Sequence, residues 1–486
     1  MNNRHNHPVG SVLSEQVRWK HPLITNSAID QTRMVIADAP VGESSFSFIV
    51  IGDTDAGAKA RKGKSAASFS EAFAEQLLAH MGDSRFLLHT GDITYPTGSY
   101  QNYLSGFLFP YRQLFSHLPK SPAYGEADIV SKLPLLPVPG NHDYARPVRN
   151  TRYGYRLWRF VCDRLRETLN IDLGCYGGEG GEAYGKTFLD NLAALTPEQL
   201  KQHLAAHYSA TGGSATGDGT HSDKEKETSS CLHYQAGQFT RLPNRYYTFR
   251  YGGVDFFALD SNTWNTASEA VGFDFEQLDW LEEVLVRSWT AADVTHRIVY
   301  LHHSPYTTES SRWQQSETLW VRRHLRATLA RVKERLGRSQ KDLAVTPLLD
   351  LVISGHAHCL EHLKTSGNKQ ADTYIDWLVC GGSGIDVRSQ RKADTADILE
   401  TLCLDGRRYL EIVASSVLYA GIKRRGHQRK HFHSFVRIDV QPQKAQKLRV
   451  VPFIVSSDGE AGAGRLKTQQ LQPLEIRENL KARNIA

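Results

Sequence analysis

The chain has 486 residues, 40% hydrophobic, 23% charged and 10% aromatic, the balance of a globular protein. Its 58 basic and 52 acidic residues leave a formal charge of +6, which suits an anionic substrate but is too small to argue for nucleic acid. The cysteines (Cys162, Cys175, Cys231, Cys359, Cys380, Cys403) form no CxxC pair, which speaks against a disulfide framework or a structural zinc site.

In chain order, residues 1–44 read as a polar, irregular extension with no apolar leader core in the first 25. No window approaches the roughly 18 uncharged apolar residues of a membrane span. A cytoplasmic protein is the default expectation. The main domain is expected over 45–460 and a C-terminal tail over 461–486. Phe69, Phe73, Leu77 and Leu78 predict an amphipathic helix over 69–81, between apolar runs at 46–53 and 85–92. A right-handed crossover then makes those two runs parallel neighbours.

Residues 145–245 interrupt the pattern as an insertion. It holds a predicted helix over 156–169, a glycine-rich stretch at 173–185, and a second helix starting at Thr196-Pro197-Glu198. The segment 211–230 has no apolar residue larger than alanine and reads as a flexible loop. The insertion is either a lid over a crevice or a surface decoration. The core resumes with a hairpin across Gly252-Gly253, helices over 275–289 and 311–336, and strands at 374–380, 409–414, 434–440 and 448–455. This order predicts an α/β (α+β) fold, a four-layer α/β/β/α sandwich of two mixed sheets flanked by helices.

Five apolar runs end in residues able to bind metal. They read FSFIVIGD (46–53), RFLLHTGD (85–92), LLPVPGNHD (135–143), RIVYLHH (297–303) and LDLVISGHAH (349–358). Continuous apolar runs suit strands buried on both faces. A glycine beside the polar residue permits a tight turn at the carboxyl end of the strand, where layered α/β folds bind ligands. Asp53, Asp92, Asn141 and the histidines offer oxygen and nitrogen donors that suit Mn, Fe or Zn better than Mg or Ca. A central carboxylate can bridge two cations about 3.5–4 Å apart, an arrangement that clamps a phosphoryl group.

The motifs Gly52-Asp53, Gly91-Asp92-Ile93-Thr94-Tyr95, Gly140-Asn141-His142-Asp143, Val299-Tyr300-Leu301-His302 and Gly355-His356-Ala357-His358 stand in the order found in calcineurin-like metallophosphoesterases. The chain resembles that family over about 46–380, and within it the purple acid phosphatase branch. The resemblance implies a binuclear phosphohydrolase in which metal-bound hydroxide attacks a phosphate ester, most simply a small-molecule monoester. A diesterase acting on nucleotides or phospholipids and a catalytically silent scaffold are the alternatives. It further implies a first metal (Fe, Mn or Zn) on Asp53, Asp92, Tyr95 and His358. Asp92 bridges to a second metal on Asn141, His356 and the histidine of the fourth motif. His142 protonates the leaving oxygen, with Asp143 orienting its ring.

Two departures from the family pattern stand out. Asp55 lies two residues past Asp53, where the purple branch has glycine, and is either an extra ligand or a loop carboxylate. V-x-x-H spacing selects His302 as the fourth-motif ligand, whereas His-x-Pro spacing selects His303; His303 is preferred, leaving His302 for phosphate contact. Adjacent strand residues face opposite ways, so only one should bind. Arg245 and Tyr247 are weaker pocket candidates, His362 reads as supporting or structural, and the basic stretch 423–433 as a solvated hairpin face.

Overall fold

The computed structural model describes residues 22–476 except 41, 43, 55–64, 119–128, 145–180, 193–194, 211–228, 271–272, 338–346, 368–369, 385, 392–395, 405–406, 426–427, 442–446 and 458–465. Asp55, the helix predicted over 156–169 and nearly all of the 211–230 loop therefore lie outside the described residues.

Two mixed sheets pack face to face. The smaller has seven strands, in the order Leu466–Gln470, Lys447–Ser457, His433–Gln441, Phe46–Ile51, Leu87–His89 and Leu135–Pro137, with Leu474–Ile476 also on Lys447–Ser457. The larger has eleven, in the order Asp397–Leu404, Arg407–Ala420, Leu360–Thr365, Asp376–Cys380, Leu351–Ser354, His296–Leu301, Val254–Ala258, Tyr247–Tyr251, Ile29–Ile36, Ser230–Tyr234 and Tyr208–Ala210. The predicted parallel pairing of the first two motif strands is present, with Ile49, Val50 and Ile51 beside Leu87, Leu88 and His89.

Every position of Phe46–Ile51 and of His296–Leu301 is buried because both strand faces are covered. In the larger sheet Phe256, Ile298, Tyr300 and Ile353 turn toward the smaller sheet, where Phe256 meets Phe48 edge-on with ring centres 5.4 Å apart. The alternate residues Phe257, Val299, Leu301 and Val352 pack under the helices Phe275–Thr290 and Ser316–Arg335. The helix Ser65–His80 covers the other side of the smaller sheet, with Phe73 edge-on to Phe435 at 6.0 Å. The result is the expected helix–sheet–sheet–helix layering.

The segments read as tails differ from expectation. Ile29–Ile36 is a strand, parallel both to Ser230–Tyr234 and, through Arg33 opposite Thr248, to Tyr247–Tyr251. Beyond residue 461, Leu466–Gln470 and Leu474–Ile476 pair with Lys447–Ser457. Leu466–Gln470 is mostly polar and exposed, the character natural sheets give their margins, and Leu474–Ile476 has only three residues, so neither stands out in a hydrophobicity reading. Some described residues of the insertion reach the core: Tyr184 is buried and donates to the Pro137 carbonyl, and Tyr234 is buried in the same cluster. The predicted second helix runs Pro197–His207, capped by Thr196 and Gln199 in a reciprocal box.

Candidate metal centre

Within each sheet the motif strands run parallel to one another, so their carboxyl ends lie at the same rim of that sheet. At these ends Asp53, Asp92 and His356 adopt left-handed backbone conformations, with φ of 54°, 50° and 64°. Such a conformation costs a non-glycine residue roughly 1–3 kcal/mol, so surrounding contacts must hold it. They do: the Asp53 amide donates to the Gly91 carbonyl at 3.0 Å, and the His356 amide donates to Asp53 Oδ2 at 2.9 Å. The glycines chiefly permit close approach. A Cβ on Gly140 would lie 2.2 Å from both Asp92 N and Asp92 Oδ1, so no other residue lets these two loops meet.

One half of the centre gathers around Tyr95. Its hydroxyl donates to Asp53 Oδ1 at 2.9 Å and Asp92 Oδ2 at 3.0 Å, and lies 3.2 Å from His358 Nε2. Burial and then the two carboxylates push the phenol well above its ordinary pKa. His358 turns its other nitrogen to the Asp386 carbonyl at 2.6 Å.

The other half gathers around His302. Its Nε2 lies 3.0 Å from Asn141 Oδ1, 3.2 Å from His356 Nδ1 and 3.4 Å from Asp92 Oδ2, while Nδ1 donates to the Thr90 carbonyl at 2.9 Å. Burial works against charge on His302, but Asp92 outweighs it and raises the imidazole to about 9. Burial likewise opposes the Asp92 charge, yet His302 and His142 hold its carboxyl well below the ordinary range. Asp53, Asp92 and His302 form one group able to hold a cation and His302, His303 and His356 another, each with ligand atoms within 4.8 Å of one another.

Of the two histidines of the fourth motif, His302 lies beside Asn141 and Asp92, while His303 shares a candidate group with His302 and His356. His303 turns Nδ1 to Ser261 Oγ at 2.8 Å and Nε2 toward the Asn265 amide at 3.3 Å. Both rings still flank His356, at 5.0 and 4.5 Å between centres. The strand stops at Leu301, so the two histidines sit in the turn and escape strict alternation.

The carboxylate of Asp143 accepts from Gly140 N at 2.8 Å, Ile93 N at 3.2 Å and Tyr103 Oη at 2.9 Å, tying the second motif to the third. Burial and the nearby Asp92 raise it to about 7. The His142 ring is anchored by the Pro96 carbonyl, 2.9 Å from Nδ1, and its amide donates to Asp92 Oδ1 at 2.8 Å. Main-chain carbonyls leave no trace in a motif, so sequence alone does not reveal these anchors.

Arg245 and Tyr247 support the centre from behind and do not line it. Arg245 is buried and pairs with Asp260 at 2.9 Å and with Asp274, while Tyr247 donates to the Pro137 carbonyl at 3.1 Å. His362 is structural, 2.7 Å from Asp376 inside the larger sheet. The basic stretch forms a hairpin of Ile422–Arg425 and Gln428–His431.

A family model described as calcineurin-like phosphoesterase matches residues 46–360 and so takes in the candidate ligands from Asp53 to His358. No curated protein matches the chain significantly. Among solved structures it is similar to the purple acid phosphatase PPD1 from yellow lupin (Lupinus luteus) seeds, at 13% identity and TM-score 0.44, covering 91% of this chain and 55% of that one. It is also similar to GAP50, the anchor in the inner membrane complex of Plasmodium (13%, TM-score 0.38, 90% of each chain), and to PhoD (11%, TM-score 0.43, 91% and 72%). The chain thus spans about half the length of the lupin enzyme. With its matched segment enclosing the whole cluster of carboxylates and imidazoles, the chain belongs to the calcineurin-like phosphoesterase family.

Proposed function

We propose that this enzyme is a phosphomonoesterase of the purple acid phosphatase type, acting on small anionic phosphate esters. The observation that carries the reading is the seat of the Tyr95 hydroxyl between Asp53, Asp92 and His358, the first-metal set that the purple-type motif implies.

The residues present fit the pair of cations that the family implies. The Thr90 carbonyl can only accept, so His302 keeps its proton on Nδ1 and faces Asn141, His356 and Asp92 with Nε2. Asn141 turns its oxygen to that nitrogen and leaves Nδ2 buried without a partner. The field of Asp92 that raises His302 to about 9 would hold a cation as readily as a proton. Asp53, Asp92, Tyr95 and His358 would hold one ion; Asp92, Asn141, His302 and His356 would hold the other. Bound there, the pair supplies Lewis-acid polarisation of the phosphoryl oxygens and an acidic water. Tyrosine among the ligands favours iron for the first position, with Mn or Zn suited to the histidine-rich second.

The chain's own part is orientation and proton transfer. His142 gives Nδ1–H to Pro96, which leaves Nε2 as the nitrogen able to deliver a proton to the departing oxygen. His142→Gln is expected to slow hydrolysis of alkyl phosphates about 10²- to 10⁴-fold and to spare aryl phosphates with acidic leaving groups. Equal losses on both classes would remove His142 from the proton-transfer role. The monoesterase assignment is tested by comparing kcat/KM on matched aryl mono- and diesters with metal-loaded enzyme. A preference for the diester would overturn it while leaving the family untouched.

A further inference from the structure

The three histidines of the two proposed cation sites are each anchored at the nitrogen facing away. His302 gives Nδ1 to the Thr90 carbonyl and His358 gives Nδ1 to the Asp386 carbonyl, at 2.9 and 2.6 Å. His356 differs. Its Nε2 meets a side chain, Gln315 Oε1, at 3.0 Å.

An amide can present either oxygen or nitrogen, and the histidine tautomer follows that choice. Here Arg312 makes the choice. Its Nη1 donates to Gln315 Oε1 at 2.8 Å, and a guanidinium only donates, so the atom between arginine and histidine must be the oxygen. His356 must then carry its proton on Nε2, and Nδ1, 3.2 Å from His302 Nε2, keeps a lone pair. Arg312 is only 2% exposed, which holds its fork in one place.

Gln315 is also the N-cap residue of the helix Ser316–Arg335, and its side chain makes no capping bond. Glutamine is not among the preferred caps, and here its side chain turns away from the helix toward His356. Position 315 is therefore set for the histidine, at the helix's expense.

We infer that Gln315, oriented by Arg312, is a positioning residue that fixes the His356 tautomer and so sets the affinity of the second cation site. The inference rests on the two-cation reading above. Outer-sphere partners of ligand histidines commonly control metal affinity by about 10- to 100-fold.

The test is titration of metal-free protein with Mn²⁺, reading free Mn²⁺ by its paramagnetic resonance signal, with the urea midpoint of each variant measured alongside. Wild type should bind two equivalents. Gln315→Leu should keep one and bind the second about 10- to 100-fold more weakly. Gln315→Glu retains an oxygen for both partners and should bind the second ion nearly as wild type does. Arg312→Met, which frees the amide to turn over, should fall between them and decides the matter if Gln315→Leu fails to fold. Two tight equivalents in Gln315→Leu, or in Arg312→Met should that variant be needed, overturn the inference. So does equal weakening in Gln315→Glu and Gln315→Leu, since a space-filling role would treat them alike. Wild type that takes up no Mn²⁺ overturns the two-cation reading itself.

Discussion

Asp92→Asn should abolish turnover while the protein stays folded, with kcat/KM lower by about 10³-fold or more, at or beyond the upper end for losing one preorganised charged group. The reason lies in how many partners one carboxylate serves. Oδ1 accepts from the His142 amide at 2.8 Å, and Oδ2 faces Tyr95 at 3.0 Å and His302 at 3.4 Å, so Asp92 serves both halves of the centre. The amide keeps the shape and one acceptor oxygen but loses the charge and the second oxygen. Burial would then dominate at His302 and pull its imidazole below its present value near 9. Metal analysis should find at most one equivalent in the variant, and a urea titration should show a near-normal midpoint. Wild-type hydrolysis by Asp92→Asn would remove this residue from the centre.

The largest loss of stability is expected from Arg245→Met. Arg245 is 4% exposed, donates to Asp260, Asp274 and Thr263, and holds two carboxylates that are themselves almost wholly buried. Burial opposes its charge, yet Asp260 and its other neighbours keep the guanidinium well above its ordinary pKa. Removing one member of a buried charge cluster and leaving the rest uncompensated costs about 3–5 kcal/mol. Asp260 also accepts from Tyr144, at the end of the short helix Asn141–Tyr144, and from Asn262, whose amide reaches the Pro139 carbonyl at 2.9 Å. The loop that presents Asn141 should therefore loosen with the cluster. Urea unfolding should show the full drop in free energy with its slope unchanged. A loss below about 1 kcal/mol, the size of a surface effect, would mean the carboxylates find other partners.

Much of the centre was legible because it is built from strand ends. A buried strand announces itself as an apolar run, and the residue after its glycine is forced to the rim, so Asp53, Asp92, Asn141, His356 and His358 could be named from spacing. The His302 and His303 pair resisted because the alternation rule applies inside a strand, and the strand stops one residue earlier. The tie that Asp143 makes between two motifs has no signature in spacing, because Gly140, Ile93 and Tyr103 meet it with two backbone amides and a distant phenol. Gln315 carries no motif at all; its part is visible only once Arg312 and His356 stand on either side of it. In the fold, Ile29–Ile36 was missed because only Thr32, Met34 and Ile36 are buried, while Asp30 and Arg33 give it the polarity of a tail.

That strand also shapes how the protein is made. During synthesis Ile29–Ile36 emerges long before Ser230–Tyr234 and Tyr247–Tyr251, the segments it must lie between. Pairings so distant along the chain close slowly, and until then the nascent polypeptide carries an unmatched β edge. Its ribosome-bound intermediates should therefore engage chaperones until Thr248 has left the exit tunnel.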